Sequence, residues 1–116
     1  MKLKIVWVAG GRYNKNAARH ENFLMEYVTE GYVLIVGGAT GTDAIAEKFW
    51  KRMQRPYIVV PAEWNRYQKM AGPKRNFVIA DYEPEVLVAF PGDRGTFHAV
   101  QVARERDIEV IQVPLR

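Results

Sequence analysis

The sequence predicts an α/β fold in which a doubly wound, mostly parallel sheet of five strands lies between two layers of helices. Five short apolar runs alternate with amphipathic stretches along the 116 residues. This alternation is typical of parallel strands joined by right-handed helical crossovers. The three middle runs are continuously apolar, as in strands that are covered on both faces. A chain of this length forms one domain, spanning residues 1–116.

The predicted strands are the apolar runs over residues 3–9, 33–36, 57–60, 86–90 and 109–113. Helices are predicted between them, over residues 16–29, 42–54, 73–80 and 96–106. The first helix has an apolar stripe formed by Phe23, Leu24, Tyr27 and Val28, and the second has one formed by Ile45, Phe49 and Met53. Gly31 and Pro56 follow these two helices as natural stops.

The composition excludes several classes of protein. With 48% hydrophobic and 26% charged residues, the chain is globular rather than disordered. It contains no cysteine, which excludes disulfides and thiolate metal sites, and no metal site is predicted. No apolar run approaches the length of a membrane span, so we expect no membrane association and a cytoplasmic location. The net charge of +4 suits phosphorylated ligands or nucleic acid.

A glycine-rich turn follows the second predicted strand. Its candidate ligand-binding residues are Gly37, Gly38, Ala39, Gly41, Thr42 and Asp43. Glycine allows a ligand to approach the backbone, and the helix that follows presents unpaired N–H groups, a combination that favours phosphate. The alternative is a tight turn in which Thr42 or Asp43 caps the helix. The negative charge of Asp43 suits a ribose hydroxyl or a water better than a phosphate.

A second glycine-rich turn follows the fourth predicted strand. Its candidate ligand-binding residues are Pro91, Gly92, Arg94, Gly95 and Thr96. Thr96 is predicted to cap the helix and to bond a phosphate oxygen, while Arg94 neutralises charge. The alternative is a capped turn with Arg94 in water. His98 follows in the first helical turn and is a secondary catalytic candidate.

Residues 61–76 form a segment that is long for a connection in a small domain, and such segments tend to be functional. Trp64 offers a stacking surface for a base. Pro73 is predicted to begin a helix, which places Arg75 and Asn76 at the positive end of that helix. The alternative is a basic surface loop with Trp64 as a local hydrophobic anchor.

The loops after parallel strands lie at the same edge of a sheet, where ligands of such folds bind. Gly10, Gly11 and Arg12 follow the first predicted strand and are therefore also candidate ligand-binding residues. The four segments that follow strands should thus converge on one rim, at residues 10–12, 37–43, 61–76 and 91–96.

These motifs together resemble the YspA-like branch of the SLOG superfamily. The matching segments, in chain order, are residues 10–12, 37–43, 61–64, 71–76 and 89–96. The superfamily groups the Lonely Guy cytokinin-activating hydrolases with the DNA-processing protein DprA and the YpsA-like proteins. The resemblance covers nearly the whole chain. It implies a Rossmann-like fold and a nucleotide or nucleotide-derived ligand across the glycine-rich turns.

One position departs from the Lonely Guy pattern. Those hydrolases carry Pro-Gly-Gly-x-Gly-Thr-x-x-Glu, whose glutamate assists cleavage of the bond between base and ribose phosphate. The corresponding position here is Ala99, and Asp93 replaces the second glycine. Alanine cannot exchange a proton, so the resemblance does not extend to that activity through this helix.

Three functions follow as hypotheses. The first is binding of a nucleoside phosphate or an ADP-ribose-like compound at the two glycine-rich turns, in a sensor or binding role. The second is N-glycosidic or phosphoribo-hydrolase activity on nucleotides, with Asp43, Arg75 and His98 as catalytic candidates. The third is single-stranded nucleic-acid binding of the DprA type. Beyond a nucleotide-derived ligand no cofactor is predicted, and a homodimer or higher homo-oligomer is expected.

Overall fold

The computed structural model describes residues 3–114. Its strands are Ile5–Ala9 (β1), Val33–Val36 (β2), Tyr57–Val59 (β3), Val86–Ala89 (β4) and Glu109–Gln112 (β5). They form one five-stranded sheet in the order β3-β2-β1-β4-β5, and every neighbouring pair is parallel. The chain therefore begins in the middle of the sheet, extends to one edge, and then crosses to the other side of β1. The predicted α/β fold with a doubly wound sheet is confirmed.

Helices cover both faces of the sheet. They are Ala17–Thr29 (α1), Thr42–Arg52 (α2), Trp64–Tyr67 (α3), Ala71–Asp81 (α4) and Arg94–Glu105 (α5), with a 3-10 turn at Gln68–Met70. Alternate residues of β1 face two separate hydrophobic cores, because side chains of a strand point to opposite faces. Val6 and Val8 pack with α1 and α2, whereas Ile5, Trp7 and Ala9 pack with α4 and α5.

Two details of the predicted helices are wrong. The stripe of α2 is Ala46, Phe49 and Trp50, whereas Met53 is exposed, because the helix already ends at Arg52. Residues 61–76 do not form one long loop, since residues 64–76 fold into α3, the 3-10 turn and the first half of α4, which begins at Ala71 rather than at Pro73. The stop after α1 is confirmed at Gly31, whose φ of 81° lies in the left-handed region that glycine adopts without strain.

The parallel strands place the loops after β1, β2, β3 and β4 at one edge of the sheet. The strand order reverses between β1 and β4, the point at which ligands bind in open α/β sheets. The two loops at this point are joined directly, because Gly11 N donates to Pro91 O at 2.8 Å. None of the helices within the described part of the chain combines the length and apolarity that crossing a bilayer requires.

Candidate functional site

A cleft with a volume of about 1020 Å³ opens at this edge of the sheet. Its walls come from all four segments that the sequence placed on one rim. A recess of about 70 Å³ shares residues with the cleft and reaches down to β1. We refer to the wide cleft and the narrow recess at its floor together as the site.

Most of the candidate residues line this site. The cleft, the recess or both are lined by Gly10, Arg12, Gly37, Gly38, Ala39, Asp43, Trp64, Arg75, Asn76, Arg94, Gly95, Thr96 and His98. The other candidates do not line the site, namely Gly11, Gly41, Thr42, Pro91 and Gly92. At Gly41 a Cβ would overlap the carbonyl oxygen of Gly11, and at Gly92 it would overlap the side chain of Thr96. These glycines permit loops to pack against one another.

In the first glycine-rich turn the carboxylate of Asp43 points back at the turn itself. Gly41 is the N-cap of α2 and no side chain caps the helix, so the alternative interpretation, a turn capped by Thr42 or Asp43, is wrong. Instead, Ala39 N donates to Asp43 Oδ2 at 3.2 Å. Burial raises the pKa of Asp43 to about 6, although backbone hydrogen bonds from Ala39 and Gly37 and the charge of Arg75 act to lower it. The carboxylate is therefore held in place but poorly solvated.

Arg75 connects this turn to the opposite wall of the site. Its Nη1 donates to Gly37 O at 2.9 Å, and its Nε donates to Asn76 Oδ1 at 3.0 Å. Asn76 Nδ2 lies 3.0 Å from His98 Nδ1. Because the amide nitrogen donates, His98 Nδ1 accepts, and this assignment places the ring proton on Nε2. Burial lowers the pKa of Arg75 while the nearby Asp43 raises it.

The second glycine-rich turn presents an uncapped helix end. Asp93 is the N-cap of α5 and makes no capping bond with its side chain. Thr96 lies inside the helix, two residues after its start at Arg94, so the prediction that Thr96 caps the helix is wrong. A Cβ on Gly95 would meet no atom within 4 Å, which means that the backbone here faces open space. This end of the site is accessible to a ligand.

A polar cluster of the partly buried Asn14 and the buried His20 and Thr42 fixes the loops from behind. Sequence reasoning missed Asn14 and His20. Asn14 Nδ2 donates to Thr42 Oγ1 at 2.9 Å and to Pro91 O at 2.7 Å. His20 Nε2 lies 2.9 Å from the same hydroxyl, and its ring stacks on Phe90 with centroids 4.2 Å apart. One signal was available, because His20 falls four residues before Leu24 on the buried face of α1.

Two exposed aromatic side chains lie in the walls of the cleft. Trp64, at the start of α3, is 55% exposed, and Phe97, on α5, is 65% exposed. Trp64 is thus not the folded-down anchor of the alternative interpretation. Sequence reasoning did not assign Phe97 and Gln101 to the site. Their spacing of three and seven residues from Arg94 could have placed them on one helical face.

Over residues 3–114, no group of three or more histidine, aspartate, glutamate or cysteine side chains is arranged to hold a metal ion. The groups that the site offers to a ligand include arginine and lysine cations, backbone N–H groups, aromatic rings and the carboxylates of Asp43 and Asp93.

Solved structures share this fold. DprA from Streptococcus pneumoniae superimposes with a TM-score of 0.80 at 20% identity, over 99% of this chain and 52% of that chain. The molybdenum cofactor binding protein from the phototrophic bacterium Rippkaea orientalis superimposes with a TM-score of 0.75 at 18% identity, over 97% of this chain and 77% of that chain. The protein TM1055 superimposes with a TM-score of 0.72 at 16% identity, over 93% of this chain and 72% of that chain. The chain spans about half the length of DprA. These likenesses show the Rossmann-like fold that the sequence resemblance implied.

One curated relative reaches the level of a shared family. No protein-family model matches the sequence. The Gene 61 protein of Mycobacterium phage D29 is 36% identical over 88 residues, which cover 70% of this chain and 70% of that protein. Identity of this extent, along most of both chains, shows common descent rather than a shared fold alone. The chain therefore belongs to the family of the Gene 61 protein of Mycobacterium phage D29.

Proposed function

We propose that this chain binds a nucleotide or nucleotide-derived ligand, such as a nucleoside phosphate or an ADP-ribose-like compound, in a sensor or binding role. We also propose that it is a YspA-like member of the SLOG superfamily. One observation carries the proposal: a single cleft combines an open, uncapped helix end at Gly95 with two exposed aromatic rings, Trp64 and Phe97. The first suits phosphate and the second suits a base.

The charges around the cleft support an anionic ligand. Its lining includes the cations Arg12, Lys69, Arg75 and Arg94 but only one carboxylate, that of Asp93, while Asp43 lies in the recess below. The ion pairs found within residues 3–114 are Arg52–Glu21 and Arg106–Asp81, both away from the cleft. The cleft cations are thus not neutralised by salt bridges in the described structure, and a phosphate would supply the missing charge.

The size of the cleft fits the same class of ligand. Sites for small molecules and cofactors commonly measure about 300–1,000 Å³, and this cleft measures about 1020 Å³. It lies at the reversal of strand order, where α/β sheets bind their ligands. A nucleotide occupies part of such a volume and leaves room for an attached group.

A hydrolase is the second candidate function, and the observation that favours it is Asp43. It is the one buried carboxylate among residues 3–114, it lines the recess, and burial raises its pKa to about 6. A carboxyl group with such a pKa is suited to proton transfer near neutral pH. Against this, α5 presents Ala99 to the recess rather than a carboxylate. We therefore place binding first.

Calorimetric titration with a panel of nucleotides tests the proposal. Native mass spectrometry of freshly purified protein tests it independently, because a co-purified ligand reports its own mass. We expect saturable binding at one ligand per chain, with weak salt dependence. Binding of single-stranded DNA with an affinity that falls steeply with salt, in the absence of nucleotide binding, would instead support the DprA-like hypothesis.

We further propose that the chain forms a homodimer or higher homo-oligomer through the outer face of α4. Three large apolar or aromatic side chains lie on its outer side, since Phe77, Val78 and the C-cap residue Tyr82 are 42–45% exposed opposite the buried Ile79 and Ala80. Adjacent exposed apolar side chains of this kind can mark an interaction surface. Light scattering that detects only a 13.4 kDa species at micromolar concentration would contradict this proposal. The expected cytoplasmic location stays a prediction.

A further inference from the structure

The first glycine-rich turn is already occupied by groups of the protein itself. Ala39 N donates to Asp43 Oδ2 at 3.2 Å, and the backbone of Gly37 also acts to lower the pKa of this carboxyl group. The carbonyl of Gly37 accepts from Arg75 Nη1 at 2.9 Å. A Cβ on Gly37 would overlap the guanidinium, so the two groups lie in direct contact. A phosphate at this turn would have to displace the carboxylate, which is negatively charged like the phosphate itself.

The second turn has the opposite character. No side chain caps α5, the backbone at Gly95 faces open space, and the exposed cation of Arg94 stands beside it. Gly95 lines both the cleft and the recess, and Asp43 lines the recess. A ligand with its phosphate against Gly95 can therefore place an attached group over the recess that contains the carboxylate.

A buried carboxylate in such a recess is an acceptor of hydrogen bonds. An ionised carboxylate offers about four lone-pair sites, and in Asp43 backbone N–H groups of the turn use only part of them. Vicinal hydroxyl groups, such as those of ribose, are donors that match the remaining sites. Because burial raises the pKa of Asp43 to about 6, hydrogen bonds from a ligand would also relieve the cost of its desolvation.

From this arrangement we propose that Asp43 accepts hydrogen bonds from ribose hydroxyl groups, so that the first glycine-rich turn recognises a sugar and only the second recognises phosphate. The ligand class is accordingly a ribonucleoside with a single phosphate-bearing end, rather than a compound that places one phosphate at each turn. This inference rests on the proposed function, since it assigns parts of the same ligand to the two turns.

The test compares the affinities of ribonucleoside 5′-monophosphates with those of their 2′,3′-dideoxy counterparts by calorimetry. For the base that binds best, we expect the ribonucleotide to bind at least about tenfold more tightly, because hydrogen bonds to a charged group are among the stronger ones. In Asp43→Asn the ratio of the affinity for the ribonucleotide to that for its dideoxy counterpart should fall towards one. In Asp93→Asn, which alters the other carboxylate lining the site, the ratio should be retained.

The comparison in the unaltered protein keeps the test independent of how Asp43→Asn folds. Equal affinities for the ribo and dideoxy forms would overturn the inference while leaving nucleotide binding intact. Tight binding of ADP-ribose without binding of any monophosphate would overturn it as well. If neither the monophosphates nor ADP-ribose bind, the proposed function itself is wrong.

Discussion

Thr42 Oγ1 lies 2.9 Å from His20 Nε2, in a buried contact that joins α2 to α1 directly behind the two loops of the site. Asn14 Nδ2 donates to the same hydroxyl oxygen, so the hydroxyl proton is available to His20. His20 Nδ1 in turn lies 2.6 Å from the carbonyl oxygen of Asn16. The amide nitrogen of Asn14, the hydroxyl of Thr42 and both ring nitrogens of His20 are thus paired. Loss of these bonds would loosen loops that follow three different strands.

Replacing Thr42 tests how much this cluster contributes to the free energy of unfolding. Thr42→Val keeps the shape but leaves the amide of Asn14 and the ring nitrogen of His20 each without one buried partner. We expect the free energy of unfolding to fall by roughly 1–3 kcal/mol, as measured by urea denaturation. Thr42→Ser keeps the hydroxyl and should lose less. Equal stability of Thr42→Val and the unaltered protein would contradict the role assigned to the cluster.

Two glycine substitutions separate ligand contact from backbone strain. Gly95→Val directs a branched side chain into open space and should abolish nucleotide binding while the melting temperature hardly changes. Gly38→Val should lower the melting temperature, because Gly38 has a φ of 78° and a Cβ there would lie 3.0 Å from Val59 Cγ1. Calorimetry and thermal denaturation of both variants measure these effects. Unchanged affinity in Gly95→Val would show that the ligand does not contact the backbone at this turn.

The aromatic walls of the cleft should contribute to affinity but not to stability. Trp64→Ala is expected to weaken nucleotide binding by roughly 1–3 kcal/mol, the usual value of stacking between a base and an aromatic ring. Trp64→Phe should recover part of the loss. Met25→Ala is the matched control, since Met25 on α1 is 44% exposed but does not line the cleft. Equal losses in Trp64→Ala and Met25→Ala would show that the effect is not local.

The pKa of Asp43 predicts a dependence of stability on pH. Burial raises this pKa from 3.8 to about 6, so the folded chain holds the proton more tightly than the unfolded chain. The tighter proton binding of the folded chain contributes stability that is fully present below about pH 4 and is lost as the pH rises through 6. Since each pKa unit corresponds to about 1.4 kcal/mol, the cost at pH 7 is on the order of 3 kcal/mol.

Asp43→Asn removes the ionisation and should therefore be more stable than the unaltered protein at pH 7. The difference should become small near pH 4, because the carboxyl group of the folded protein is then neutral. Urea unfolding at both pH values measures this change. A variant that is less stable by the same amount at both values would indicate that the hydrogen bonds of the carboxylate outweigh its desolvation.

The last prediction separates binding from turnover. Because α5 presents Ala99 to the recess, we expect bound nucleotides to be recovered intact, with no release of free base detected by chromatography. Turnover that disappears in Asp43→Asn and persists in His98→Ala would instead identify Asp43 as a catalyst. Turnover that persists in both variants would point to Asp93 or to a contaminating enzyme.

The sequence predicted what depends on local patterns. Apolar runs located every strand to within two residues, because buried parallel strands are continuously apolar. The α3 helix was missed because four residues are too few to show a periodicity. The start of α4 at Ala71 was missed because proline is typical of the first position of a helix, which placed the start at Pro73. The direction of the Asp43 side chain and the contacts of Asn14, 28 residues from Thr42, arise from packing between distant segments, which no spacing along the chain encodes.

The position of β1 at the centre of the sheet has a practical consequence. Every wall of the cleft comes from a different crossover, so the binding surface exists only once both halves of the chain have folded. A ligand therefore adds its binding energy to the stability of the whole domain, by about 2.7 kcal/mol at a hundredfold excess over its dissociation constant. Thermal-shift screening of unlabelled metabolite libraries can exploit this coupling, with the melting transition of the protein as the only reporter.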